Sequence, residues 1–221
     1  MSNVWVLGSA SWDLVYRLDR MPPAGGRSTA RWVGRRPGGS TGNVARALGS
    51  AGHQVHLLTR VGADDTGTAL LDELAAWGVA TDAVLRHDSC TPEALIFIHD
   101  AERTIIVLER ECTEPLTVPY VDLAAADAIY IGTYEDFEPQ LPAFLSQSSP
   151  LVMTAPPPDT TSDWFAHIII GSQTEYPERC LASPYEELRK RIGRQLQWVV
   201  ITKGELGATA YGPAGAVEIQ P

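Results

Sequence analysis

The chain has 221 residues, 44% of them hydrophobic and 20% charged, and 17 Lys and Arg against 27 Asp and Glu leave a net charge of −10. That is enough for one large domain with a real core. The acidity argues against a nucleic-acid partner, which would need a basic stripe. No segment approaches the roughly 18 apolar residues of a membrane span, and the N-terminus lacks the basic start and apolar run of a signal peptide. Cys90, Cys112 and Cys180 are far apart, odd in number and without C-x-x-C spacing. A disulfide framework or zinc site is not expected, and the setting expected is the reducing cytoplasm, with no membrane partner.

Val4 to Leu7 is a short apolar run ending at Gly8 and reads as a buried strand. Leu14 to Val33 surrounds a turn signal at Pro22-Pro23-Ala24-Gly25-Gly26. A helix is expected from about Asn43 to Ala51, then a strand at Val55–Thr59. A second helix follows over Thr66–Trp77, with Leu70, Leu71, Leu74 and Trp77 on one face, a start at Asp65 or Thr66 and a stop at Gly78. Ala94–His99 and Thr104–Glu109 are β-rich runs joined by residues 100–103, which predicts a hairpin. Ala128–Ile131, Leu151–Thr154, Ile168–Ile170 and Trp198–Thr202 read as further strands. Ser183-Pro184 opens a helix through about Leu196, with Arg189-Lys190-Arg191 on its solvated face, and Ala208–Tyr211 starts a hairpin around Gly212-Pro213. Buried strands alternating with helices imply a parallel sheet covered on both faces. The segments around 14–35 and 94–109 break that alternation and read as a small β layer beside it.

The stretch Gly38-Gly39-Ser-Thr-Gly-Asn43-Val-Ala45-Arg-Ala-Leu48-Gly49 carries the most chemistry. Paired glycines permit positive φ and close approach of a ligand to the backbone. The helix that follows presents unpaired N–H groups and the positive end of its dipole. The Asn43 amide both donates and accepts, though Asn43 also suits a helix cap. The combination fits a hydroxyl-rich ligand. It is similar to the first signature of the ribokinase-like carbohydrate kinases, the phosphofructokinase-B family. The resemblance continues through Gly62-x-Asp64-x-x-Gly67, Thr91, Ala94, the Glu102-Arg103-Thr104 turn and Thr202-Lys-Gly204-Glu-Leu-Gly207, and covers nearly the whole chain.

The resemblance implies an α/β fold: a three-layer sandwich with a mostly parallel central sheet, one domain over residues 1–221, and a β lid from segments at about 14–36 and 93–111. It implies ATP-dependent phosphorylation of a sugar or nucleoside hydroxyl with Mg²⁺. Substrate contacts would fall to Ser11, Asp13, Gly38, Gly39, Asn43 and Glu135, the last in a register open by one residue with Tyr134. The nucleotide would be met by Ser172, Glu175, Thr202, Gly204 and Gly207, with Glu175 acting indirectly on the metal. Many members carry Asn-x-x-Glu where this chain has Ser172-Gln-Thr-Glu175, which weakens the expected geometry toward hydrated Mg²⁺. The catalytic signature Asp-Thr-x-Gly-Ala-Gly-Asp is not reached before Pro221, so the fold is expected to be incomplete at its C-terminus and the chain inactive alone. The alternatives are a degenerate, sugar-binding family member and a fragment of a longer kinase. The resemblance also implies a homodimer through the lid. G-x-G-x-x-G and Gly-Lys-Ser/Thr motifs are absent, and His53, His56, His87, His99 and His167 are scattered.

Overall fold

The computed structural model describes residues 1–100, 102–108, 116, 118, 123–132, 141, 150–154, 165–174 and 184–221. The chain divides into two compact units, one of Met1 with Val6–Leu116 and one of Ser2–Trp5 with Thr117–Pro221.

In the first unit, the end of β1 (Asn3–Leu7) lies beside β4 (Gln54–Leu58), which pairs in parallel with β6 (Val79–Ala80). Leu7, Leu57 and Leu58 are fully buried here, as are Ala45, Leu70 and Leu74 from two helices. These are α1 (Ser40–Ser50) and α2 (Asp65–Ala76). The expected start of α1 at Asn43 is too late. Gly39, with φ 76° and ψ 156°, turns the chain into the helix, and Ser40 is its first residue. α2 starts as its capping chemistry dictates, with the Asp64 carboxylate accepting from the Gly67 N–H at 2.6 Å.

The β layer expected beside the main sheet is a four-stranded sheet in the order β3-β2-β8-β9. Its strands are β2 (Ser11–Arg17), β3 (Arg31–Gly38), β8 (Glu93–His99) and β9 (Glu102–Val107). β2 is antiparallel to β3 and parallel to β8, and β8 is antiparallel to β9. The predicted 100–103 loop is tighter than expected, because Glu102 pairs with His99 and Arg103 with Ile98. Asp100 turns the hairpin at φ 46°, a conformation its short polar side chain tolerates. The sheet is tethered through a small parallel pair, β5 (Arg60–Gly62) with β7 (Leu85–His87). Thr91, just before β8, gives its N–H (3.0 Å) and hydroxyl (2.5 Å) to the carboxylate of Asp64, while its hydroxyl accepts from the Gly62 N–H at 3.1 Å. Arg86 donates to the Gly62 and Asp64 carbonyls. One carboxylate therefore joins the start of α2 to the start of β8.

In the second unit, β10 (Ala128–Ile131), β11 (Leu151–Thr154), β12 (Ile168–Ser172) and β13 (Trp198–Thr202) form a parallel array. β14 (Ala208–Gly212) and β15 (Gly215–Ile219) extend it antiparallel. Ile129, Ile131, Leu151, Met153, Ile169, Val199 and Ile201 are buried in alternation along these strands, the pattern of strands packed on a core. α3 (Pro184–Ile192) is shorter than the predicted helix to Leu196, since Gly193 leaves it at φ 102°. Among the described residues, no helix is long and apolar enough to cross a membrane.

Burial alone would raise the Asp64 pKa, but the Thr91 hydroxyl and N–H, the Gly67 N–H and the Arg86 charge together hold it below 3.8. A carboxyl depressed on folding adds stability that is complete above the unfolded pKa and is lost as pH falls through the folded one. Asp64→Ala is expected to cost about 1–2 kcal/mol at pH 7, the range of a lost cap. In urea denaturation, the gap between Asp64→Ala and wild type should narrow below pH 3.8.

Candidate functional site

Strand register builds the first cluster. Ser11 lies opposite Gly38 and Asp13 opposite Arg36, and Ser11 and Asp13 are both buried. A Cβ at Gly38 would overlap the Asp13 carboxylate, and one at Gly39 would meet the Ser9 carbonyl. The pair of glycines is thus required twice, once by a buried side chain and once by backbone at φ 76°. α1 is anchored here by Thr41, whose N–H donates to the Ser9 carbonyl (3.1 Å) and whose hydroxyl donates to the Leu7 carbonyl (3.2 Å). Asn43 is the fourth residue of α1, not its cap. Its exposed carboxamide donates to the Gly39 carbonyl at 2.9 Å. The structure therefore brings together Ser11, Asp13, Gly38, Gly39 and Asn43 around one helix start, while Glu135 lies outside the described residues.

Burial pushes the Asp13 carboxyl above its ordinary pKa. Arg36, the Gly39 N–H and the more distant charge of Arg103 pull it back without cancelling the rise. Arg36 Nε stands 3.7 Å from Asp13 Oδ2, with the Arg36 side chain 50% exposed and that of Asp13 10%. This leaves a largely buried carboxylate with one backbone N–H and one guanidinium beside it, able to accept from a hydroxyl donor. Sequence patterning did not reveal Arg36, because only the β2–β3 register puts it against Asp13. It also did not reveal the indole N–H of Trp12, buried in β2, which donates to the Thr66 carbonyl at the start of α2 (3.0 Å).

The second cluster lies in the second unit. Ser172 and Thr202 face each other at the carboxyl ends of β12 and β13, where α/β sheets hold ligands. The Thr202 hydroxyl donates to the Gly171 carbonyl at 3.2 Å, and the Ser172 hydroxyl is 2.9 Å from that of Thr174. A 3₁₀ turn at Gly204–Leu206 follows, with Gly204 at φ 59° and open space where a Cβ would stand. Gly207 has a different reason for being glycine: a Cβ there would strike the Ile219 carbonyl of β15. The structure places Ser172, Thr202, Gly204 and Gly207 along one strand end and turn, and Glu175 lies outside the described residues. Among the described residues, no cluster of three His, Cys, Asp or Glu could hold a metal ion.

A model of the pfkB carbohydrate kinases matches residues 1–221. The chain belongs to the pfkB family of carbohydrate kinases. It is 38% identical to a ribokinase of Bacillus subtilis over 112 residues, a stretch that covers 49% of this pfkB chain and 38% of that relative. The chain therefore matches well under two thirds of that relative's length. Among solved structures, a Giardia lamblia ribokinase superposes with a TM-score of 0.81 at 17% identity, covering 99% of this chain and 75% of that one. An Arabidopsis thaliana ribokinase complexed with ribose and ATP superposes with a TM-score of 0.75 at 16% identity, over 99% of this chain and 78% of that one. These likenesses establish the ribokinase-like α/β fold, with its large, mostly parallel sheet.

A carboxyl whose pKa is raised on folding contributes stability that is present below the unfolded pKa and lost as pH rises through the folded one. Asp13→Asn in this pfkB chain is therefore expected to raise the urea midpoint at pH 7, and the gain should vanish below pH 3.8. A lower midpoint at pH 7 would show that the Arg36 pair outweighs the burial of the charge.

Proposed function

We propose that this protein takes part in ATP-dependent phosphorylation of a sugar or nucleoside hydroxyl, and that the first unit holds the acceptor. The observation that carries the reading is Asp13, a buried carboxylate packed on Gly38 and bonded by the Gly39 N–H at the start of α1. A carboxylate accepts from sugar hydroxyls, and the exposed Asn43 amide beside it adds a donor and an acceptor. Glu135 is proposed as a further acceptor contact. The ribokinase of known complex binds ribose and ATP, and membership of the family supports the same pair of ligand classes here.

Thr202 and Gly204 are proposed to meet the nucleotide, with Ser172 and Glu175 toward its phosphates. The donor set fits such a role, since hydroxyls and open backbone at strand ends suit phosphate oxygens better than a dedicated metal cage would. Mg²⁺ is proposed to arrive with the phosphates and to neutralise their charge, retaining most of its waters. Asp13 would fix the acceptor's orientation, and the glycine backbone would let it approach closely. A cytosolic setting accords with the unpaired, exposed Cys90.

The Asp-Thr-x-Gly-Ala-Gly-Asp signature, which supplies the base in the family, is not among residues 1–221. A sample of these residues alone is accordingly expected to bind acceptor without turning ATP over. Turnover at ordinary kinase rates, about 1–100 per second, would instead assign the base to another carboxylate such as Glu135 or Asp136. The four-stranded sheet is proposed to pair with a second copy. β3 and β9 are its edges, and Trp32, Ile105, Ile106 and Val107 are 44–70% exposed. A strictly monomeric mass by light scattering at high concentration would refute that pairing.

Calorimetry with ribose, fructose and adenosine tests the acceptor site. Asp13→Ala should weaken binding of the preferred acceptor by about 1.5–3 kcal/mol, the range of a hydrogen bond to a charged group. Unchanged affinity in a folded variant would remove Asp13 from the site.

A further inference from the structure

Strand register gathers hydroxyl groups on one face of the parallel array in the second unit. Residues opposite each other in paired strands share a face, as do residues two apart along one strand. Tyr130 lies opposite Val152, two residues before Thr154. Thr154 lies opposite Ile170, two residues before Ser172, and Ser172 lies opposite Thr202. Tyr130, Thr154, Ser172 and Thr202 therefore share one face. They stand toward the carboxyl ends of β10, β11, β12 and β13, one hydroxyl to a strand, at steps of about 4.8 Å across the sheet. The other face of the same strand ends carries Ile131, Met153, Gly171 and Ile201, all buried and none with a hydroxyl.

The nucleotide reading above stops at β12 and leaves Tyr130 and Thr154 without a task. Their hydroxyl oxygens are 2.8 Å apart. One hydrogen serves that bond, and the pair has two. Among the described residues, the second O–H has no acceptor. Both side chains are half-buried. Burial pushes the Tyr130 phenol above its ordinary pKa, and the bond from Thr154 offsets this only in part, so the phenol stays protonated at neutral pH. A half-buried donor without an acceptor gains from a ligand that brings one. Phosphate oxygens are strong acceptors, and a charged acceptor makes the stronger hydrogen bond. Sheet order supplies the direction. The nucleotide reading runs from the turn after β13 toward phosphates at β12, and the next strands on that course are β11 and β10, which carry the spare donor.

We propose that the hydroxyl row continues the nucleotide site across β11 and β10, with Thr154 and Tyr130 as contacts to the outer phosphates of a nucleoside polyphosphate. The inference rests on the nucleotide reading above and adds two residues to it.

Calorimetry on the whole 221-residue chain with ATP, ADP and AMP tests it. Thr154→Val and Tyr130→Phe each remove a hydroxyl and keep most of the packing. Each should weaken ATP binding about threefold or more, within the range of one hydrogen bond, and should leave AMP binding unchanged. Thr154→Ser keeps the hydroxyl on a smaller side chain and should retain the wild-type preference for ATP over AMP. Circular dichroism verifies that the variants are folded. ATP binding unchanged in either folded hydroxyl-deletion variant would overturn the inference and leave the nucleotide reading at Thr202 and Gly204 standing. An equal loss for ATP and AMP would also overturn it, since the pair would then act through the fold and not on the outer phosphates. Loss of the ATP preference in Thr154→Ser would reduce Thr154 to a packing role and overturn its contact. Absence of binding by all three nucleotides to the wild-type chain would overturn the nucleotide reading itself, and the inference with it.

Discussion

A charged carboxylate sits at the bottom of this site, and everything around it is arranged so that it can remain there. Asp13 is on the second strand of the chain, buried, with backbone where side chains would ordinarily pack. Gly38 leaves room for its oxygens and the Gly39 N–H bonds to them. Burial still wins over these partners, so the site holds a carboxylate that is incompletely compensated. A group in that condition gains from a ligand that brings hydrogen-bond donors, and this is the physical basis of the proposed acceptor contact. The turn at Gly39 brings its N–H to Asp13, and α1 begins at the next residue, Ser40.

A second carboxylate, Asp64, performs a different task because its surroundings differ. It caps α2, accepts both donors of Thr91, and lies below its ordinary pKa. Asp13 is short of partners and Asp64 is saturated with them. The contrast separates a carboxylate that binds from one that fastens. Through Thr91, Asp64 fixes the point at which β8 leaves the α/β part of the first unit. β8 then pairs with β2 in the register that places Ala94 against Asp13. Trp12 adds a second tie by donating to the first turn of α2. The face that presents Asp13 is thus held by hydrogen bonds at its base, while its hairpin tip carries Arg103.

Much of this architecture is legible in the chain itself. Apolar runs such as Val55–Thr59, Leu151–Thr154 and Trp198–Thr202 correspond closely to strands, because short continuous apolar runs in an α/β chain fill a sheet with one face buried and the other half-covered. The two misplaced helix ends have local causes. The start of α1 depends on a glycine whose role is set by a residue of another strand, and α3 stops early because Gly193 takes a positive φ. Gly207 shows the same limit. A Thr-x-Gly-x-x-Gly run offers a nucleotide reading of each glycine, and only the fold shows that the β15 backbone also requires glycine at this one.

Sequence by itself determined the family, the presence of a β layer beside a parallel sheet, and the identity of Asp13, Gly38, Gly39 and Asn43 as one group. The β layer and the glycine-to-helix run rest on local patterns, namely apolar runs, turn residues and a glycine pair leading into a helix, while Asp13 joined that group through the family resemblance. Tertiary structure decided which of those residues are short of partners and which additional side chains join them. Arg36 and Arg103 are far apart in the chain and unremarkable in composition. Only the pairing of β3 with β2, and of β9 with β8 and β8 with β2, puts both on the face that carries Asp13. Side-chain direction in a sheet alternates with every residue, so a shift of one position in either pairing would have turned those charges away. Register is a property of the folded sheet, and the electrostatics of this site follow from it.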